Sequence, residues 1–387
     1  MSLRYNGVKF ILDLSSLPSH VINGLAEESF IYRTNRKKRE AYIAPSLNFC
    51  KRGWEALKPF VKPDEEARKK LVDLSKEIDK RRKLYTQSHK LKRGVFKDLS
   101  PEAFGLRPHK GFQQLFVQQA RGIHLCALRR RYALFFGPRT GKTITMLGAY
   151  LKICQDDKRN YRMLIFSENT YQHVWQEHIK NCIEEDVECL KLYEDFKKHP
   201  NEIRDKLKTK NKLIALANYT FRSPEKYKIL KEFNPDLIVL DESQKMRSSR
   251  KLVLKENILN VAKQCDMKFC PSGTPVGQNY LSVWSQFQFL DPETFPQTKT
   301  AFLKRYCYTK MLNSDVSLII GYKRKDELKD ITKQNSYRVI TSHVYEVSKR
   351  NETRLYIDLD DDTAAIYNQF IKAVSYTHLT LPTTPYV

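Results

Sequence analysis

Two short blocks in this chain combine residue types and spacing suited to phosphate chemistry. The first is Phe135-Phe-Gly-Pro-Arg-Thr-Gly-Lys-Thr, set between an apolar run, Tyr132-Ala-Leu-Phe-Phe, and a helical stretch that begins near Ile144. A loop that opens a helix turns backbone N–H groups toward phosphate oxygens. Lys142 adds a point charge for β- and γ-phosphates, and Thr143 adds a hydroxyl for Mg²⁺. Gly141 lets the backbone pass close to phosphate without a Cβ. Gly137, Arg139 and Thr140 complete the loop. The match to G-x-x-x-x-G-K-[ST] is imperfect, because Gly137 lies four residues before Gly141 and Phe136 holds the expected glycine position. Taken alone, a Gly-Lys-Thr at a helix cap would look the same.

The second block is Leu237-Ile-Val-Leu running into Asp241-Glu-Ser-Gln. An apolar strand here delivers two carboxylates at its C-terminal end. Asp241 suits Mg²⁺ held through its hydration shell. Glu242 suits orienting and deprotonating a water. Lys142 and Asp241 are 99 residues apart, room for intervening βα units. A third block, Cys270-Pro-Ser-Gly-Thr-Pro-Val, offers Ser272 and Thr274 hydroxyls beside Gly273. Such a loop can link γ-phosphate occupancy to movement, although a plain Gly-Thr-Pro turn has the same composition.

These residues need a scaffold. Tyr132–Phe136, Met163–Phe166, Leu213–Ala217, Leu237–Leu240 and Met267–Cys270 are short apolar runs separated by helical stretches. That pattern predicts a parallel sheet flanked by helices, buried on both faces, over residues 105–310. Residues 1–100 differ, with 23 Lys and Arg against 12 Asp and Glu. They read as a small basic α/β accessory module, with strands near Val8–Leu14 and Ala41–Ala44. A helix follows from Pro63, apolar at Leu71, Leu74 and Ile78. The basic face of that helix suits phosphates, or simply solvent. Residues 311–373 read as a linker and lead-in to a further domain. They include a charged helix from Lys323, an alternating strand at Thr353–Leu359 and a capped helix from Asp360. Residues 374–387 break this composition, with no Lys, Arg, Asp or Glu. The string VSYTHLTLPT resembles a translated sequencing adapter, so the natural chain is expected to continue past about Ala373.

The three blocks, in this order and spacing, resemble motifs I, II and III of helicase superfamily 2. Within it they are most similar to Swi/Snf-type DNA-dependent ATPases, including bacterial and phage members. Asp241-Glu-Ser-Gln resembles the DExH box, with Gln244 where His is commoner. Ser272-Gly-Thr-Pro-Val-Gly-Gln-Asn-Tyr-Leu-Ser-Val-Trp-Ser-Gln-Phe-Gln-Phe-Leu-Asp-Pro resembles motif III and its helix. Leu115-Phe-Val-Gln-Gln-Ala-Arg-Gly-Ile resembles the adenine-reading Q-type motif, with Gln119 as its glutamine. Ile165-Phe-Ser-Glu-Asn with Val174-Trp-Gln-Glu resembles motif Ia, and Leu216-Ala-Asn-Tyr resembles motif Ib. The resemblance implies an α/β fold with one RecA-like P-loop lobe, and ATP and Mg²⁺ as cofactors. It implies Ser167, Asn169 and Asn218 as contacts to a nucleic-acid backbone. Arg139 stands where many relatives carry glycine, and Gly137 where many carry glutamate. The family binds ATP between two lobes, and no second lobe is read here. An arginine finger contributes about 10³–10⁵ in rate, so this stretch alone is expected to bind Mg·ATP weakly and hydrolyse it slowly.

Charge agrees with that direction. The 387 residues carry 69 Lys and Arg against 44 Asp and Glu, a net +25 that fits a polyanionic partner, DNA above all. No apolar run approaches the roughly 18 residues of a membrane span, and no signal-peptide core is visible. Eight cysteines without CxxC spacing show neither a zinc ribbon nor a redox motif and fit a reducing, cytoplasmic setting in a bacterium or phage-infected cell. Three alternatives stay open: a non-catalytic nucleic-acid-binding module with a relic nucleotide site, an RNA helicase, and the motor subunit of a restriction or repair complex.

Overall fold

A computed structural model describes residues 2–345, except 16, 29, 36, 184–186, 210–211, 220–222, 248–251, 277–279, 297 and 312–316, together with residues 359–379. The chain divides into two units, Met1–Tyr345 and Glu346–Val387.

The first unit opens with a small mixed sheet. Its strands are β1 (Ser2–Tyr5), β2 (Phe10–Asp13), β3 (Ile31–Asn35), β4 (Glu40–Ile43) and β5 (Lys62–Pro63). They lie in the order β3-β4-β2-β1-β5, antiparallel except for the β1–β5 pair. Leu3, Phe10, Leu12, Ala41 and Ile43 form its core with Leu71 and Leu74 of the helix Glu65–Arg93. Asp64 starts that helix by accepting the Ala67 N–H at 2.7 Å. Glu65 and Glu66 in the first turn, and Lys90, Lys92 and Arg93 in the last, suit its dipole.

The larger sheet is built from β6 (Arg131–Phe136), β7 (Arg162–Phe166), β8 (Glu188–Lys191), β9 (Leu213–Ala217), β10 (Leu237–Leu240) and β11 (Met267–Pro271). An antiparallel hairpin follows, β12 (Cys307–Met311) and β13 (Ser317–Tyr322), and then β14 (Ser336–Val339). The order is β14-β6-β11-β10-β7-β9-β8, and every pair is parallel. Alternate side chains feed two cores. Ala133, Phe135, Leu164, Ile238 and Leu240 pack on one face. Leu134, Phe136, Ile165, Leu237 and Val239 pack on the other with the helices Val117–Arg129, Lys142–Asp157 and Asn169–Cys182. Burial on both faces is why these strands read as unbroken apolar runs.

One expectation is corrected. Residues 311–373 do not only lead onward, because β14 pairs with β6 along Ser336–Val339 and completes the sheet beside the phosphate loop. Ser-Tyr-Arg-Val lies at a sheet edge, so it carries no apolar run to announce it. The charged helix is present as Lys325–Gln334. The strand expected at Thr353–Leu359 lies outside the described residues but for Leu359. The second unit contains the helix Asp361–Leu379, whose first turn is capped by Asp360 accepting the Thr363 N–H at 2.8 Å. Among the described residues, no helix is long and apolar enough to cross a membrane.

Candidate active site

Strand order brings the three blocks together. In the sheet β11 lies between β6 and β10, although it follows both in the chain. All three strands are parallel, so the loops after them emerge at one edge. The phosphate loop follows β6, Ser272 follows β11, and Asp241 follows β10. The chain reverses its strand order here, and such a crevice at the carboxyl ends of parallel strands is where ligands bind in open α/β sheets.

Within the phosphate loop Gly141 has φ +83°, and a Cβ there would lie 1.9 Å from Gln119 Nε2. The positive φ favours glycine, and any larger residue would also have to displace the Gln119 side chain. Arg139 also has positive φ, +60°. Thr140 is fully buried and its hydroxyl donates to the Gly137 carbonyl at 2.8 Å. The β14 side braces the loop. The Gly137 N–H donates to Val339 O at 2.9 Å. The Thr341 hydroxyl donates to the Pro138 carbonyl and the Tyr345 hydroxyl to the Arg139 carbonyl, each at 3.1 Å. Lys142 opens the helix Lys142–Asp157. Its Nζ donates to Phe136 O at 3.3 Å and lies 3.7 Å from Glu242 Oε1. Thr143, half-buried, follows in the first turn.

Asp241 is held on every side. Its Oδ2 accepts the Trp175 indole N–H at 3.0 Å and the Ser167 hydroxyl at 3.3 Å. Its Oδ1 accepts the Glu242 N–H at 3.1 Å, and its backbone carbonyl accepts the Tyr219 hydroxyl at 2.6 Å. Burial pushes its carboxyl above the ordinary 3.8, against the lowering effect of the Trp175 bond. Glu242 has φ +48° and sits between Lys142 and Gln244. The Gln244 amide bridges, donating to Glu242 Oε2 at 2.9 Å and accepting the Ser272 hydroxyl at 2.6 Å. Ser272 in turn accepts the Thr274 N–H at 3.1 Å, and the Gly273 N–H points to Glu242 Oε2 at 3.4 Å. Thus a continuous chain of contacts runs from Lys142 through Glu242 and Gln244 to the loop 272–274. Ser243 joins it to the helix Leu281–Leu290, donating to Gln286 Oε1 at 2.7 Å.

The remaining expected residues are dispersed. Gln119 is buried behind the loop, and its Oε1 accepts the Phe116 N–H at 2.8 Å, which caps the helix Val117–Arg129. Ser167 is only 1% exposed and faces Asp241 instead of solvent. Asn169 is exposed at the start of its helix, and Asn218 is half-buried after β9. Gly277, Gln278 and Asn279 of the third block lie outside the described residues. Trp175 and Tyr219 carry no role in the sequence reading. A tryptophan embedded in an apolar helix face needs an acceptor for its N–H, and that is the signal that points to it.

The donor set fits Mg²⁺. Thr143 and Asp241 offer hard oxygens, and among the described residues no three His, Cys, Asp or Glu side chains form a metal cage of their own. Mg²⁺ at a phosphate site takes one or two protein oxygens and fills the rest with water and phosphate.

No curated protein matches the chain. Two solved structures from Sulfolobus solfataricus are similar to it. They are a SWI2/SNF2 ATPase core in complex with dsDNA (17% identity, TM-score 0.47) and a SWI2/SNF2 ATPase core domain (18%, 0.46). The matches cover 75% and 73% of this chain, and the chain spans only 57% and 54% of those two. The SNF2-related domain family matches residues 136–382. That stretch holds the phosphate loop, the Asp-Glu pair and the Ser272 loop on one RecA-like sheet, and this chain belongs to the SNF2-related domain family.

Proposed function

We propose that this chain is the ATP-binding lobe of a DNA-dependent ATPase that couples hydrolysis to movement along nucleic acid. The observation that carries this reading is the convergence of Lys142, Asp241, Glu242 and Ser272 on one strand edge. Lys142 exchanges its contact with Glu242 for the β- and γ-phosphates, which frees the Glu242 carboxylate. Glu242 then orients and deprotonates water. Thr143 and Asp241 would hold Mg²⁺, which supplies charge neutralisation at the phosphates when bound. Gln244, our variant of the DExH histidine, passes the state of Glu242 to Ser272 and the 272–274 loop. Gln119 supports the loop from behind, and the resemblance to the Q-type motif assigns it adenine recognition.

Asn169 and Asn218 grip the backbone at the neighbouring strand ends, after β7 and β9. Ser167, enclosed here, acts through Asp241 until the edge opens. Phosphate contacts then dominate, so binding falls steeply with salt and shows little sequence preference. The eight free thiols fit a cytoplasmic setting.

The function is tested by phosphate release from the intact protein. Duplex DNA, single strands and RNA are compared as stimulants. DNA is expected to stimulate most, and Glu242→Gln to abolish the stimulated rate. Stimulation by RNA alone would favour an RNA helicase. No release under any condition would favour a binding module with a relic site.

A further inference from the structure

We infer that the C-terminal half of the helix Glu65–Arg93 is a second contact surface for nucleic-acid backbone, remote from the edge that carries the phosphate loop. The inference rests on the reading of this protein as a nucleic-acid-dependent motor and adds a site to it.

Charge is divided sharply along this helix. Residues 65–79 carry five acidic and four basic side chains, whereas residues 80–93 carry seven basic and no acidic ones. Part of that basic set anchors the helix on the lobe. Arg81 pairs with Asp291 and Glu77. Lys92 donates to the carbonyls of Lys333 and Ser336 at 2.8 and 2.7 Å. Near the helix end, the Arg121 guanidinium donates to Gly94 O at 2.9 Å. Ser336 begins β14, so this anchorage lies where the sheet's strands start, opposite the ends that carry Asp241 and the phosphate loop.

The other cations do no such work. Lys80, Lys83, Lys90 and Arg93 are exposed, and among the described residues none has a carboxylate within ion-pair distance. Their spacing of three, seven and three residues keeps them on one side of the helix. The stripe is about 20 Å long at 1.5 Å per residue, enough to face several phosphates of one strand. Like charges three residues apart on a helix repel and lower its stability. A protein that needed only a soluble helix would interleave Glu, as the first half of this helix does. Beside the stripe, a groove of about 1170 Å³ is lined by cations that include Lys51, Lys80, Arg82 and Arg129; of its carboxylates, Glu77 and Asp291 are engaged by Arg81, Asp266 by Arg131 and Glu327 by Arg305, and Glu293 and Asp330 complete the lining. A polyanion laid on the stripe relieves the repulsion, and backbone phosphate is the polyanion a motor of this kind meets.

The test is binding of a labelled duplex of about 20 base pairs, followed by anisotropy over a series of salt concentrations. The wild-type chain is compared with the fourfold variant Lys80→Gln, Lys83→Gln, Lys90→Gln, Arg93→Gln. These side chains are exposed, so the variant is expected to melt no lower than wild type. The inference predicts roughly tenfold weaker binding at low salt and a log–log salt slope shallower by about three. An unchanged slope and affinity would overturn it while leaving the motor reading intact. A wild-type chain that binds no duplex at all would remove both. Anionic phosphatidylserine vesicles serve as a control, and binding to them that is lost in the variant while duplex binding persists would overturn the inference in favour of a membrane.

Discussion

Asp241, the carboxylate proposed to hold Mg²⁺, shows how little of such a residue's setting lies in its own motif. The Asp-Glu pair is legible because an apolar strand delivers it. Its partners Ser167 and Tyr219 follow two other strands, Trp175 lies on the helix Asn169–Cys182, and all three are neighbours of Asp241 only in space. Oδ2 carries two donors and Oδ1 only the Glu242 backbone N–H, so on the proposed function Oδ1 is the oxygen that would hold Mg²⁺. On that reading Trp175 would be a positioning residue. Trp175→Phe keeps most of the ring volume and removes the N–H. It is expected to raise the Mg²⁺ concentration needed for nucleotide binding by about tenfold, with little change in nucleotide binding measured in EDTA. Titration of a fluorescent nucleotide with Mg²⁺ checks this, and equal half-saturation in both proteins would show the indole to be packing only. Lys142 and Glu242 were readable one by one. Their mutual contact at 3.7 Å was not, because it depends on β11 placing the two strand ends around it.

At the scale of elements, legibility followed burial. β6, β7, β9, β10 and β11 are central, packed on both faces, and each reads as an apolar run. β8 and β14 are the two edge strands, Glu-Cys-Leu-Lys and Ser-Tyr-Arg-Val, and neither carries such a run. Missing β14 hid the bracing of the phosphate loop by Val339, Thr341 and Tyr345. The loop itself fits its surroundings tightly. Gly141→Ala places a methyl against the Gln119 amide and strains a positive φ, which costs about 1–2 kcal/mol before any clash. The expected outcome is a lower melting temperature together with weakened nucleotide binding. Gln119→Ala in the same chain should recover part of the loss, because it clears the contact and leaves only the backbone strain. A Gly141→Ala protein that melts and binds like wild type would mean that the loop is not held in this conformation.

At the scale of the molecule, the first hundred residues are fixed to the lobe by charge as well as by packing. Arg305, nearly fully buried, is shared between Glu28 of the small sheet's unit and Glu327, whose carboxylate also takes the Tyr306 hydroxyl at 2.9 Å. Burial alone would raise both carboxyls. The arginines around them reverse that, and both are held below the ordinary 4.5. Because their folded values are depressed, this contribution to stability is present at neutral pH and is lost as pH falls below the ordinary carboxylate range. The accessory module is therefore firmly seated at neutral pH, where its uncompensated cations add a fixed positive surface to a chain of net charge +25. Everything in this account depends on the phosphate loop holding nucleotide. Equilibrium binding of a fluorescent ATP analogue with Mg²⁺, compared between the wild-type chain and Lys142→Ala, measures that directly. Saturable, Mg²⁺-dependent binding that weakens at least about tenfold in the variant is the predicted result, since a charge-assisted contact to phosphate is lost. Equal binding by the two proteins, or none by either, would contradict it.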